Sequence, residues 1–167
     1  MIRKLFRGQS RRSAPLRSVT RQALRYMPAD GDLVGLVAAV AEGRNREICV
    51  LRLPMPSPGP SGAWVALPDK DYVVIDQGAA PSRFVATLCH ELAHMLLGHQ
   101  GPVQQASAAA LAPQVDPRIA ARILGRHGYS DAQEHEAETL ATVLAAEHSR
   151  RSQGKEWSTD IVTARLR

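Results

Sequence analysis

Leu88-Cys89-His90-Glu91-Leu92-Ala93-His94-Met95-Leu96-Leu97-Gly98-His99 contains the pattern HExxH. On a helix, His90 and His94 are one turn apart and project the same way. Two neutral imidazoles on one face can grip a zinc ion, and a glutamate beside them can take a proton from the bound water. His90 and His94 are therefore candidate metal ligands, and Glu91 is the candidate catalytic residue. The flanks support a helix. Pro81-Ser82 opens it, since proline suits a first helical turn. Apolar residues recur at Val85, Leu88, Cys89, Leu92 and Leu96, the spacing of a helix buried on one side. Gly98 follows the last turn, as a terminating glycine does. This pattern puts His90, Glu91 and His94 on a flank of the buried stripe, beside a cleft.

The stretch before the motif alternates between helix and strand signals. Ser18 to Met27 reads as a short helix stopped by Pro28, and Asp32 caps a second helix ending at Gly43. Glu47 to Leu53 is strand-like. Pro54, Pro56, Pro58 and Pro60 fall at every second position, which rules out helix and central strand and leaves a stiff extended connection. Ala63 to Leu67 and Tyr72 to Asp76 read as two strands of a hairpin. After the motif, 101–113 is Ala- and Gln-rich and irregular, and Asp116-Pro117 starts a helix. Ser130-Asp131, with Gln133 or Glu134, reads as a capping box for a last long helix with the apolar stripe Ala137, Leu140, Ala141, Leu144. The expected fold is α+β: a small three-stranded sheet packed on the HExxH helix, with further helices, in a zincin-like arrangement. An exposed strand of such a sheet can accept an extended peptide, and Trp64 lies in the region concerned.

With 167 residues, one main domain is expected, over 18–152, between a basic arm, 1–17, and a polar tail, 153–167. Residues 1–25 carry eight basic side chains and no acid; the rest carries 13 basic and 16 acidic, a net of −3. The positive charge thus belongs to the arm, read as a solvated leader, with contact to nucleic acid or acidic partners as the less favoured reading. No apolar run reaches membrane-span length, and no h-region follows the basic start, so a cytoplasmic setting is expected. Cys49 and Cys89 have no CxxC spacing and are expected to be buried, reduced thiols.

A catalytic zinc takes three protein ligands plus water. The longer metzincin pattern fails, because Leu97 and Gln100 stand where it needs Gly and His. His99 follows the helix-ending Gly98 and points elsewhere in this reading. The acid-rich start of the last helix supplies Glu134, Glu136 and Glu138. Acids also favour helix N-termini without any metal. Glu136 precedes the buried stripe and is the preferred ligand, Glu138 the second choice and Glu134 the third. His127, Tyr129 and His135 are lesser candidates for supporting the ligands or polarising a substrate carbonyl.

HELAHMLLGH followed by EHEAETLA resembles the ImmA/IrrE-type zinc metallopeptidases. PMPSPGPSGAW and DYVVID resemble the short actinobacterial members of that family. The resemblance covers roughly Asp32 to Arg150. It implies zinc on His90, His94 and Glu136, with Glu91 as general base. It also implies cleavage of a helix-turn-helix repressor in stress, mobile-element or toxin–antitoxin regulation. Leu140 stands where the family often has an aromatic. The expected activity is zinc-dependent endopeptidase, gluzincin-like in its His-His-Glu ligands. Two other readings stay open. One is a zinc-containing module that docks a repressor without cutting it, and the other a toxin whose basic arm engages nucleic acid.

Overall fold

The computed structural model describes residues 15–55, 57, 59–68, 70–99 and 128–152. The basic stretch to residue 14, the Ala- and Gln-rich segment, the helix expected after Asp116 and the tail 153–167 lie outside the described residues. Helix α1 (Leu16–Tyr26) begins just after Pro15. Helix α2 (Leu33–Arg44) is capped by Asp32, whose carboxylate accepts from the amides of Val34 and Gly35. It runs through Gly43, the residue expected to end it. The stop is Asn45, in the left-handed conformation at φ 52°, with its amide on the Ala41 and Glu42 carbonyls. Asparagine is among the few side chains that tolerate that conformation.

Three strands follow: β1 (Ile48–Leu53), β2 (Gly62–Ala66) and β3 (Asp71–Asp76). The sheet order is β1-β3-β2. The expected hairpin is present as the antiparallel β2–β3 pair, with Trp64 opposite Val73. β1 pairs with β3 in parallel, from Ile48 opposite Asp71 to Leu53 opposite Asp76. The Pro-rich stretch therefore carries the chain across the sheet, so that β2 becomes an edge strand. Strand side chains alternate between faces. Val73 and Ile75 of β3 join the main core, whereas Val74 joins a smaller cluster with Ala63, Val65 and Leu67 on the other face.

Helix α3 (Pro81–Leu97) holds the HExxH pattern and ends at Gly98, φ 70°. Its apolar side, with Phe84, Leu88, Leu92 and Met95 fully buried, fills the main core. The long helix α4 (Asp131–Ser152) packs against it with Ala137, Leu140, Ala141 and Leu144. Ser130 and Gln133 close the capping box reciprocally: Ser130 N donates to Gln133 Oε1, and Gln133 N to Ser130 Oγ. The architecture is α+β, with a small mixed sheet. Among the described residues no helix is long and apolar enough to cross a membrane.

One buried charge ties these layers together. Asp71, at the start of β3, is fully buried and receives Arg44 Nη2 at 3.1 Å and Arg46 Nε at 3.1 Å. Arg44 also donates through Nη1 to the Met95 carbonyl in the last turn of α3, and lies over the Trp64 ring. The end of α2, the start of β3, the end of α3 and edge strand β2 are thus held by one cluster. Removing one partner of a buried ion pair strands the other charge and costs about 3–5 kcal/mol. Asp71→Ala should lower unfolding free energy by about that amount in urea titrations. A loss below about 1 kcal/mol would show that the pair contributes little.

Candidate metal centre

Helix α3 carries a second stripe beside its apolar one. Arg83, Thr87, His90, Glu91 and His94 line a cleft of about 770 Å³. The opposite wall comes from Gly128, Tyr129, Glu134 and Glu138, and the rim from Pro60, Ser61 and Gly62 at the start of β2. The flank expected from the sequence is more enclosed than one apolar stripe implies. His94 is wholly buried, with Tyr129 stacked on it, and Glu91 is only 5 % exposed, set against β2. His90 keeps a quarter of its side chain exposed.

Three donor atoms meet in the cleft. His90 Nε2 and His94 Nε2 are 3.0 Å apart. Glu134 Oε2 is 3.2 Å from the first and 3.6 Å from the second. A tetrahedral ion with arms of about 2.0 Å has donor–donor edges of about 3.3 Å, so the three separations straddle the value a zinc site requires. The donor set is two imidazoles and a carboxylate, borderline and hard ligands suited to a divalent ion. His90, His94 and Glu134 can therefore hold a metal together.

The three glutamates of α4 separate clearly. Glu134, third in order on sequence grounds, is the one at the two Nε2 atoms. Glu138 Oε2 reaches the other nitrogen of His90, Nδ1, at 3.3 Å. Glu136, the preferred ligand from the sequence, does not join the two Nε2 atoms; its Oε2 lies 3.1 Å from His99 Nε2. The physical reason is helical phase. Gln133 is taken up by the capping box, and Glu134 falls on the line 134, 137, 141, 144, 148 that packs inward, with Ala137, Ala141, Leu144 and His148 buried. That heptad line was the available signal for Glu134. Glu136 lies to one side of it, in line with Leu140.

His99, expected to point away, is buried and 2.9 Å from His94, Nδ1 to Nδ1. Tyr129 stacks flat on the His94 ring, centroids 3.6 Å apart at 14°, and so fixes its plane. His135 is exposed outside the cleft lining, and His127 lies outside the described residues. Cys49 and Cys89 are both buried and free. Burial pushes the Cys89 thiol up to about 12, so it stays protonated at neutral pH.

Glu91 is oriented from the sheet. The Trp64 backbone amide donates to Glu91 Oε2 at 2.7 Å, across the side of β2 that faces α3. This approach needs Gly62. A Cβ there would overlap Thr87 Cγ2 and sit 2.9 Å from the Val74 carbonyl. Thr87 is held in place by its hydroxyl, 3.0 Å from Ser61 Oγ. Gly62→Ala should destabilise the protein by about 1–3 kcal/mol through overpacking. Adding Thr87→Ser, which deletes the colliding methyl and keeps the hydroxyl, should restore part of that in the same denaturation assay. If the double variant is as unstable as Gly62→Ala, close packing of β2 on α3 is not the cause.

Comparison of the chain with protein-family models, with curated proteins and with solved structures gave no match.

Proposed function

We propose that this chain is a zinc-dependent endopeptidase of zincin-like type, with His90, His94 and Glu134 as metal ligands and Glu91 as general base. The observation that carries the reading is the meeting of His90 Nε2, His94 Nε2 and Glu134 Oε2 in a cleft that Glu91 also lines. A zinc ion held there would supply Lewis acidity toward a carbonyl and a bound water with pKa near neutrality. Glu91 lies one residue from His90 on the same helix, and the Trp64 amide holds its Oε2 in a fixed direction. From that position Glu91 takes the proton of the attacking water and returns it to the leaving amine. Burial of Glu91 and His94 limits competing bulk water around this proton transfer.

The cleft borders a strand end. Pro60, Ser61 and Gly62 form its rim at the end of edge strand β2, where a peptide can lie beside the sheet. Among the described lining residues the carboxylates are Glu91, Glu134 and Glu138, and the one cationic side chain is Arg83. The substrate in this proposal is a protein partner in the cytoplasm, and a helix-turn-helix repressor is the class that the family resemblance implies.

The test is proteolysis by the full chain loaded with zinc. The substrates are unstructured casein and any helix-turn-helix repressor found encoded beside this gene. Glu91→Gln should keep its zinc and lose about 10²–10⁴-fold in kcat/KM, the usual share of a general base. Undiminished cleavage by Glu91→Gln would remove Glu91 from the mechanism. A repressor that binds the wild-type chain tightly and stays uncut would favour a docking module over a peptidase.

A further inference from the structure

Behind the three donor atoms a line of contacts runs from the surface of α4 to the inner side of His94. Glu136 Oε2 is 3.1 Å from His99 Nε2, and His99 Nδ1 is 2.9 Å from His94 Nδ1. The His94 side chain is 0 % exposed and that of His99 7 %, so the contact between the two rings is removed from bulk water. Gly98 creates the line. Its left-handed turn reverses the chain at the end of α3, and the His99 amide then donates back to the His94 carbonyl at 3.0 Å.

With Glu136 ionised and both rings neutral, the protons along this line have one placement. An ionised carboxylate only accepts, so His99 Nε2 carries hydrogen and donates to Glu136. Neutral His99 then has its lone pair on Nδ1, which must accept. His94 Nδ1 is left as the donor, and the His94 lone pair falls on Nε2. That is the atom facing His90 Nε2 and Glu134 Oε2. A carboxylate two rings away thereby selects the ring form that a metal requires.

We propose that Glu136 and His99 are positioning residues, a relay that holds His94 in the tautomer presenting Nε2 to the metal. Glu136 acts through two hydrogen bonds and does not touch the ion. The inference rests on the metal reading of His90, His94 and Glu134, and it gives two neighbouring glutamates different duties.

The experiment measures zinc affinity of the full chain by competition with a chromophoric chelator. Glu136→Ala and His99→Leu should each weaken binding about 10–100-fold, as loss of a ligand's outer partner does. The double variant should be no weaker than His99→Leu alone, because the two act in series. Glu136→Gln should recover most of the affinity, since its amide oxygen still accepts from His99 Nε2. Long-range 15N–1H spectra of the zinc form should show the His94 ring proton on Nδ1. Glu136 is 43 % exposed, so Glu136→Ala carries the test where His99→Leu fails to fold. Wild-type affinity in Glu136→Ala overturns the relay. So do losses that multiply in the double variant, or a Glu136→Ala loss as complete as that of Glu134→Ala. A wild-type chain that binds no zinc, or a Glu134→Ala chain that binds it normally, overturns the metal reading itself.

Discussion

A helix enclosed on nearly all sides carries two imidazoles and a carboxylate, and buried polar groups must find partners. That constraint shapes the neighbourhood of α3. Its apolar stripe fills the core between sheet and helices, while its polar stripe is covered by α4 and bounded by β2. Each group on the polar stripe then meets a specific partner. Glu91 meets a backbone amide of β2, His90 meets Glu134 and Glu138, and His94 meets His99 and the face of Tyr129. The result is a set of polar side chains whose orientations are fixed by contacts on both sides, which is the condition for a preorganised site.

The framework reaches the site through few connections. Arg44 links Asp71 to the Met95 carbonyl, one residue beyond His94. The same arginine lies over Trp64, whose backbone holds Glu91. Edge strand β2 is thus fastened to the ion-pair cluster by its tryptophan and to α3 by its Trp64 amide and by the close approach at Gly62. At the other end of α4, His148 Nδ1 binds the Gly31 carbonyl at 2.8 Å, which ties the helix carrying the three glutamates to the turn between α1 and α2.

Much of this was legible in the residues. HExxH with Pro81 before it and Gly98 after it marks a helix with His90 and His94 on one side. The hairpin, the Asp32 cap and the Ser130–Gln133 capping box follow from local rules that tertiary contacts leave intact. What was hidden depends on relations between distant elements. Nothing local pairs β1 with β3 in parallel, because the Pro-rich connection only says that the chain is extended. Glu134, Glu136 and Glu138 cover more than one helical turn, so the choice among them is set by the phase of α4 against α3. His99 looked like a helix-end residue because a left-handed glycine turn can send the chain either away or back. Here the His94 carbonyl brings it back.

The claim at the centre is that two imidazoles and one carboxylate share a zinc ion. Zinc K-edge X-ray absorption on the zinc-loaded chain tests it most directly. The proposed His90, His94 and Glu134 ligand set gives a four-coordinate shell of nitrogen and oxygen at about 2.0–2.1 Å, with outer scattering from two imidazoles. A six-coordinate hydrated pattern, a sulfur shell or scattering from three imidazoles would contradict it.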